Sequence, residues 1–203
     1  MVSLLVVRGT ITVAVVCLAA TLAVASTRAP SPAGPAVARA DPAQVLIVGD
    51  SIAVGLRPYI TEMITDREVT FDAKSGRTTP QGLRALRFEL ARNAPQAVVI
   101  NLGTNDGANP RVFAARIAKA LHAVPPAACV FWPTIVRARR KGAYKELNRV
   151  LRDAARRDHR LTIINWDRMV AKGTGTLRDG VHPTQESYRF LSYVTAAAVR
   201  RGC

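Results

Sequence analysis

The sequence predicts a doubly wound α/β domain of three layers, a five-stranded parallel sheet in the order 2-1-3-4-5 between two layers of helices. Three observations carry this prediction. Short apolar runs alternate with longer stretches of helical periodicity, the pattern of repeated β-α units. Val45-Leu46-Ile47-Val48 is continuously apolar instead of alternating, as in a strand covered on both faces. Glycine-bearing turns (Gly49, Gly76, Gly103) follow three of the runs. Right-handed crossovers bring all those strand ends to one rim, where ligands bind in such sheets.

The chain opens outside this pattern. Met1 to Gly9 carries one charged side chain, Arg8, and Thr10 to Ala25 carries none. Ala23-Val24-Ala25 supplies a small-x-small site, so residues 1–25 read as a secretory signal peptide. The competing reading is an uncleaved anchor, for which the apolar stretch is short against the roughly 20 residues of a membrane span. Val16 precedes Cys17 where a lipoprotein signal needs a small residue, which argues against lipidation. Residues 26–43, with Pro30, Pro32, Pro35 and Pro42, lack apolar periodicity and read as a disordered linker. The folded domain is expected over 44–203. A chain of 203 residues, 49% hydrophobic, supports one well-buried core and gives no case for two.

Within that domain, strands are expected at Val45–Val48, Val69–Ala73, Ala97–Leu102, Val130–Trp132 and Thr162–Asn165. Helices are expected at about Ile52–Met63, Pro80–Asn93, Pro110–Val124, Ala143–Arg157 and Gln185–Arg200. Thr79 and Asn109 each precede a proline, so each reads as an N-cap with proline at the first helical position. Trp132 and Trp166 are placed at strands and read as packing residues ahead of sugar-stacking platforms.

Four turns carry candidate chemistry. In Gly49-Asp50-Ser51 the glycine lets the chain turn, and Ser51 lands at a helix N-terminus whose partial positive charge favours an alkoxide or oxyanion. In Asp179-Gly180-Val181-His182 a carboxylate and an imidazole three residues apart on a tight turn can hydrogen-bond. The Asn105 amide and the Gly76 backbone N–H are suitable donors to a developing oxyanion. Singly, each has a plainer account: Asn105 as an Asx-turn residue, Gly76 as a turn glycine, His182 as a surface histidine. Together, in the order Ser, Gly, Asn, Asp-x-x-His, they point to catalysis. Asp50 and Asp106 read as structural turn residues.

From Gln44 to Val199 the chain resembles the SGNH hydrolases, also called the GDSL esterase/lipase family. Ser51 matches the family nucleophile in Gly-Asp-Ser, Gly76 the second-block glycine, Asn105 the third-block asparagine, and Asp179 and His182 the fifth-block Asp-x-x-His. Ile52 stands where leucine is usual. The resemblance implies a flavodoxin-like sheet and hydrolysis or transfer of acyl groups at esters. The block Asp179 to Pro183 is similar to that of branches acting on acetylated carbohydrates and cell-wall glycans. The expected roles are His182 as general base to Ser51, Asp179 orienting the ring, and an oxyanion hole of Ser51, Gly76 and Asn105. No metal or cofactor is expected, since the three His form no ligand pair at zinc spacing. Three readings stay open: an exported serine esterase, an O-acyltransferase on cell-wall glycan using the same acyl-Ser51 intermediate, and a non-catalytic basic envelope-binding protein on a retained hydrolase scaffold.

The formal net charge is +15. It fits either a solvated arginine-rich surface or attraction to an anionic cell envelope or acidic substrate. Nucleic acid is not an expected partner, because no aromatic-basic recognition motif is visible. Arg137, Arg139 and Arg140, with Lys141, follow the fourth strand on the Ser51 rim. They form either a substrate-facing patch or a solvated loop into the next helix. Beyond the signal two cysteines remain, Cys129 and Cys203, an even number for an oxidising compartment. Cys129 opens the fourth strand on the side away from the site, and the last helix returns to that side at Cys203. A disulfide is geometrically reasonable; the alternative is two free thiols with Cys203 at a frayed terminus. The expected protein is a monomer, secreted or envelope-associated, with a small-molecule or glycan ester as substrate.

Overall fold

Five parallel strands, β1 (Gln44–Gly49), β2 (Glu68–Ala73), β3 (Ala97–Asn101), β4 (Cys129–Pro133) and β5 (Leu161–Ile164), pair in the order β2-β1-β3-β4-β5. Six helices accompany them: α1 (Ser51–Met63), α2 (Thr79–Leu90), α3 (Pro110–Ala123), α4 (Ala143–Ala155), α5 (Trp166–Ala171) and α6 (Gln185–Arg201). This computed structural model describes residues 43–138 and 143–203. The expected signal peptide lies outside the described residues, as do the expected linker apart from Ala43, and Arg139, Arg140 and Lys141.

The continuous apolar runs are explained by burial from two sides. Successive side chains of a strand point to opposite faces. Leu46, Val48, Val98, Ile100, Val130 and Trp132 therefore join one apolar layer with Leu83 and Leu86 of α2, Phe113 and Ile117 of α3, and Leu147 and Leu151 of α4. Their neighbours Val45, Ile47, Val99 and Phe131 join a second layer with Ile52, Leu56 and Ile60 of α1 and Leu191 and Val199 of α6. Trp132 is fully buried, its indole N–H donating to the Leu102 carbonyl at 3.0 Å and its ring set edge-on to Phe113.

Two local expectations are corrected. The N-cap of α2 is Thr78 and not Thr79: Thr78 is extended and closes a capping box with Gln81. Thr79 is the first helical residue, buried, with its N–H taken by Asp106 Oδ1 at 2.8 Å. Trp166 does not sit at a strand but opens α5, a helix of 6 residues, too short to show a periodicity. Asn109 caps α3 as expected, accepting from the Arg111 and Val112 amides at 3.0 and 3.2 Å.

Cys129, the first residue of β4, is disulfide-bonded to Cys203, just beyond α6, with 5.4 Å between the Cα atoms. The bridge lies at the amino-terminal end of β4, opposite the rim that carries Ser51. Among the described residues no helix is long and apolar enough to cross a membrane.

Candidate active site

Close packing at the end of β1 sets the position of Ser51. A Cβ on Gly49 would lie 2.2 Å from Ala53 Cβ and 3.0 Å from the Asn101 carbonyl, so no side chain fits there. The next residue, Asp50, donates its N–H to that Asn101 carbonyl at 3.0 Å and caps α1 by accepting the Ile52 N–H on Oδ1 at 2.9 Å. Ser51 is thereby the first residue of α1, half-buried, at the carboxyl rim of the sheet.

Across the rim, Ser51 Oγ stands 3.0 Å from His182 Nε2. The other ring nitrogen, Nδ1, is 2.8 Å from Asp179 Oδ2, while Asp179 Oδ1 accepts the backbone N–H groups of Val181 at 3.0 Å and His182 at 2.8 Å. These bonds favour the charged carboxylate: first the His182 amide, then the His182 ring and the Val181 amide, hold Asp179 well below the usual carboxylate range. The turn is pinned from both sides. Arg178 N–H donates to the His182 carbonyl at 2.8 Å, and Ala138, on the loop after β4, donates its N–H to the Gly180 carbonyl at 2.7 Å.

Asp50 lies beneath this row, fully buried. Burial pushes its carboxyl up to about 6, against the pull of the Ile52 amide, of Thr104 and of His182. Its Oδ2 has no hydrogen-bond partner among the described residues.

The expected oxyanion donors sit on two adjoining loops. Gly76 is in the left-handed region at φ 75°, and a Cβ there would meet nothing within 4 Å, so the space above it is open. Asn105 Nδ2 donates to the Arg77 carbonyl at 3.1 Å, which ties the two loops together. Asp106 secures them from below. Its Oδ1 takes the Thr79 N–H, its Oδ2 pairs with Arg116 at 2.8 Å, and its carbonyl accepts from Arg137 Nη1 at 2.9 Å. Asp50 and Asp106 thus occupy the structural positions expected of them. Sequence reasoning missed the partners: Arg116, and Arg137 as a clamp on the Asn105-Asp106 backbone. No local pattern around either arginine signals that bond. Ser51, His182 and Asp179 are joined in one hydrogen-bonded row, and Gly76 and Asn105 adjoin each other on the same rim.

The sequence model of the GDSL-like lipase/acylhydrolase family matches residues 47–190. The chain belongs to this family. Solved structures of GDSL-like fold agree with the assignment. The C-terminal catalytic domain of peptidoglycan O-acetyltransferase A (OatA) of Streptococcus pneumoniae, with a methylsulfonyl adduct, is 20% identical over 79% of this chain and 94% of that one, with a TM-score of 0.64. A member of the lipolytic G-D-S-L family from Veillonella parvula is 18% identical over 78% and 98%, with a TM-score of 0.66. The lipase/acylhydrolase from Enterococcus faecalis is 22% identical over 78% and 96%, with a TM-score of 0.64. At such identities the likeness is one of fold. No curated protein matches the sequence.

Proposed function

We propose that this GDSL-family protein is an exported serine ester hydrolase that cleaves carboxylic esters through an acyl-Ser51 intermediate. One observation carries the reading: the unbroken row from Ser51 Oγ through His182 to Asp179, with contacts of 3.0 and 2.8 Å. An ionised Asp179 keeps the proton on Nδ1, which leaves Nε2 free to accept the Ser51 proton as Oγ attacks the ester carbonyl. The developing oxyanion is held by the Ser51 N–H, which at the first turn of α1 has no intrahelical partner, by the Gly76 N–H and by the Asn105 amide. His182 then gives its proton to the leaving alkoxide, and water, deprotonated by the same imidazole, releases the acid from Ser51.

Export is read from residues 1–25 together with the Cys129–Cys203 bridge, a bond favoured in oxidising compartments. An ester of the cell envelope, small or glycan-borne, is the substrate class this location supplies, and the charge of +15 would hold the protein near an anionic envelope. The OatA domain among the structural neighbours supports a second reading, O-acyl transfer, in which a glycan hydroxyl replaces water at the acyl-Ser51 stage.

Fluorophosphonate labelling of wild type and Ser51→Ala, followed by an ester panel from acetyl to long-chain with and without glycan acceptors, tests the proposal. Ser51→Ala is expected to melt like wild type, to take no label and to lose at least roughly 10³-fold in kcat/KM. Retention of more than a few per cent of turnover overturns the nucleophile. Acyl-glycan formed in preference to free acid selects the transferase reading.

A further inference from the structure

A second concavity adjoins the oxyanion loop. It is a cavity of about 290 Å³ lined by Lys74, Ser75, Gly76, Arg77, Gln81 and Arg84, with three cations and no acid in its wall. Arg77 is already committed, since its guanidinium donates to the Asp72 carbonyl at 2.6 Å and pairs with Asp72 Oδ1 at 2.7 Å. Asp72 cancels that charge. Lys74 and Arg84 are exposed and make no ion pair among the described residues, and Arg84 Nη1 reaches only the Pro80 carbonyl at 3.5 Å. The uncompensated positive charge of the cavity is therefore theirs.

The wall is held in place by its backbone. Lys74 N–H is anchored on the Gly49 carbonyl at 3.1 Å, and Arg77 N–H closes the turn on the Lys74 carbonyl at 3.2 Å. Gln81 accepts the Thr78 N–H at 2.8 Å, and the Asn105 amide holds the Arg77 carbonyl. Gly76 belongs to both places: its N–H serves the proposed oxyanion hole, and the residue also lines the cavity. Lys74 and Arg84 therefore stand in the wall of a cavity that borders the proposed resting place of the ester carbonyl oxygen.

We propose that this cavity is a subsite for an anionic group, a carboxylate or phosphate, carried by the ester substrate and held by Lys74 and Arg84. The proposal rests on Ser51 being the acylated nucleophile. It makes the enzyme selective for acidic esters through Lys74 and Arg84, residues other than the basic cluster after the fourth strand that the sequence singles out.

The test compares 4-nitrophenyl acetate with 4-nitrophenyl hemisuccinate, whose carboxylate lies on the acyl side, and with 4-acetoxybenzoate, whose carboxylate lies on the alcohol side. In Lys74→Ala/Arg84→Ala the kcat/KM ratio of an anionic ester to the neutral one is expected to fall roughly tenfold, through KM. Whichever anionic ester shows the fall identifies the side of the scissile bond that the cavity serves. Lys119→Ala/Arg157→Ala removes the same charge from exposed positions, one near the carboxyl end of α3 and one just beyond α4, away from the rim, and is expected to leave the ratio unchanged. An equal fall in that control, or no fall for either anionic ester, overturns the subsite. Succinate and inorganic phosphate titrated into Ser51→Ala at low salt give a readout independent of turnover. Binding that vanishes on adding the Lys74 and Arg84 substitutions supports the subsite even where wild type hydrolyses no ester, an outcome that would instead overturn the hydrolase reading.

Discussion

Asp179 grips His182 at two points: Oδ1 accepts the His182 main-chain N–H at 2.8 Å, and Oδ2 faces the ring Nδ1 at 2.8 Å. One carboxylate therefore fixes both the turn and the imidazole, and the ring cannot swing away from Ser51 without losing a charge-assisted bond.

Asp179→Asn separates these two duties. The amide oxygen still accepts the main-chain N–H, so the turn and the melting temperature are expected to survive. The NH2 group now opposes Nδ1 and forces the proton onto Nε2, which then donates to Ser51 Oγ and can no longer accept the Ser51 proton. A loss in kcat of roughly 10²–10⁴-fold with little change in KM is expected. Steady-state kinetics on a neutral acetyl ester decides it, and an unchanged kcat would remove Asp179 from the mechanism.

Asn105→Ala addresses the oxyanion. One N–H of the Asn105 amide holds the Arg77 carbonyl at 3.1 Å, which leaves the second for the substrate. Removing a preorganised donor of this kind lowers kcat by roughly 10²–10³-fold. The same ester assay checks it; an effect confined to KM would show that Asn105 binds ground state and transition state alike.

The buried strands and the hydrogen-bonded row of Ser51, His182 and Asp179 were legible because their signals are local. Val45 to Val48 are apolar on both faces because both faces of β1 are covered, and Asp179 and His182 share a single turn. Legibility fails where a distant residue decides. Thr78 and Thr79 are equally good caps by chemistry, and the choice is made by Asp106, 27 positions away, which takes the Thr79 N–H. Likewise Arg137 reaches the Asp106 carbonyl across 31 positions, a contact that only the folded rim creates. The α5 helix was invisible for a different reason, since its one and a half turns offer no repeat to read.

Asp50→Asn probes the buried acid. Because burial raises the carboxyl from 3.8 to about 6, the folded chain binds its proton more tightly than the unfolded chain does. The resulting cost to stability is absent below the unfolded value, grows as pH rises between the two values and is complete above about 6. Its size is about 3 kcal/mol at most. Asparagine keeps an acceptor for the Ile52 N–H and never ionises. Denaturation of both proteins across this range is expected to show similar stability near the lower value and a variant advantage that widens toward neutral pH. A difference independent of pH would refute the buried charge.

Cys129→Ser/Cys203→Ser tests the bridge by separating stability from activity. The bond joins residues 74 positions apart, and closing a loop of that length restricts the unfolded chain by about 4 kcal/mol in the entropy model. It sits at the amino-terminal end of β4, whereas Ser51, Gly76 and Asn105 all lie at the carboxyl rim. The double serine variant is therefore expected to unfold at markedly lower denaturant while keeping wild-type kcat/KM at 25 °C. Reduction of the wild-type protein should reproduce that shift, and the unreduced chain should weigh two hydrogens less than the reduced one. Equal stability in the two forms, or titratable thiols at Cys129 and Cys203 in the unreduced protein, would show that α6 is held to β4 by packing alone.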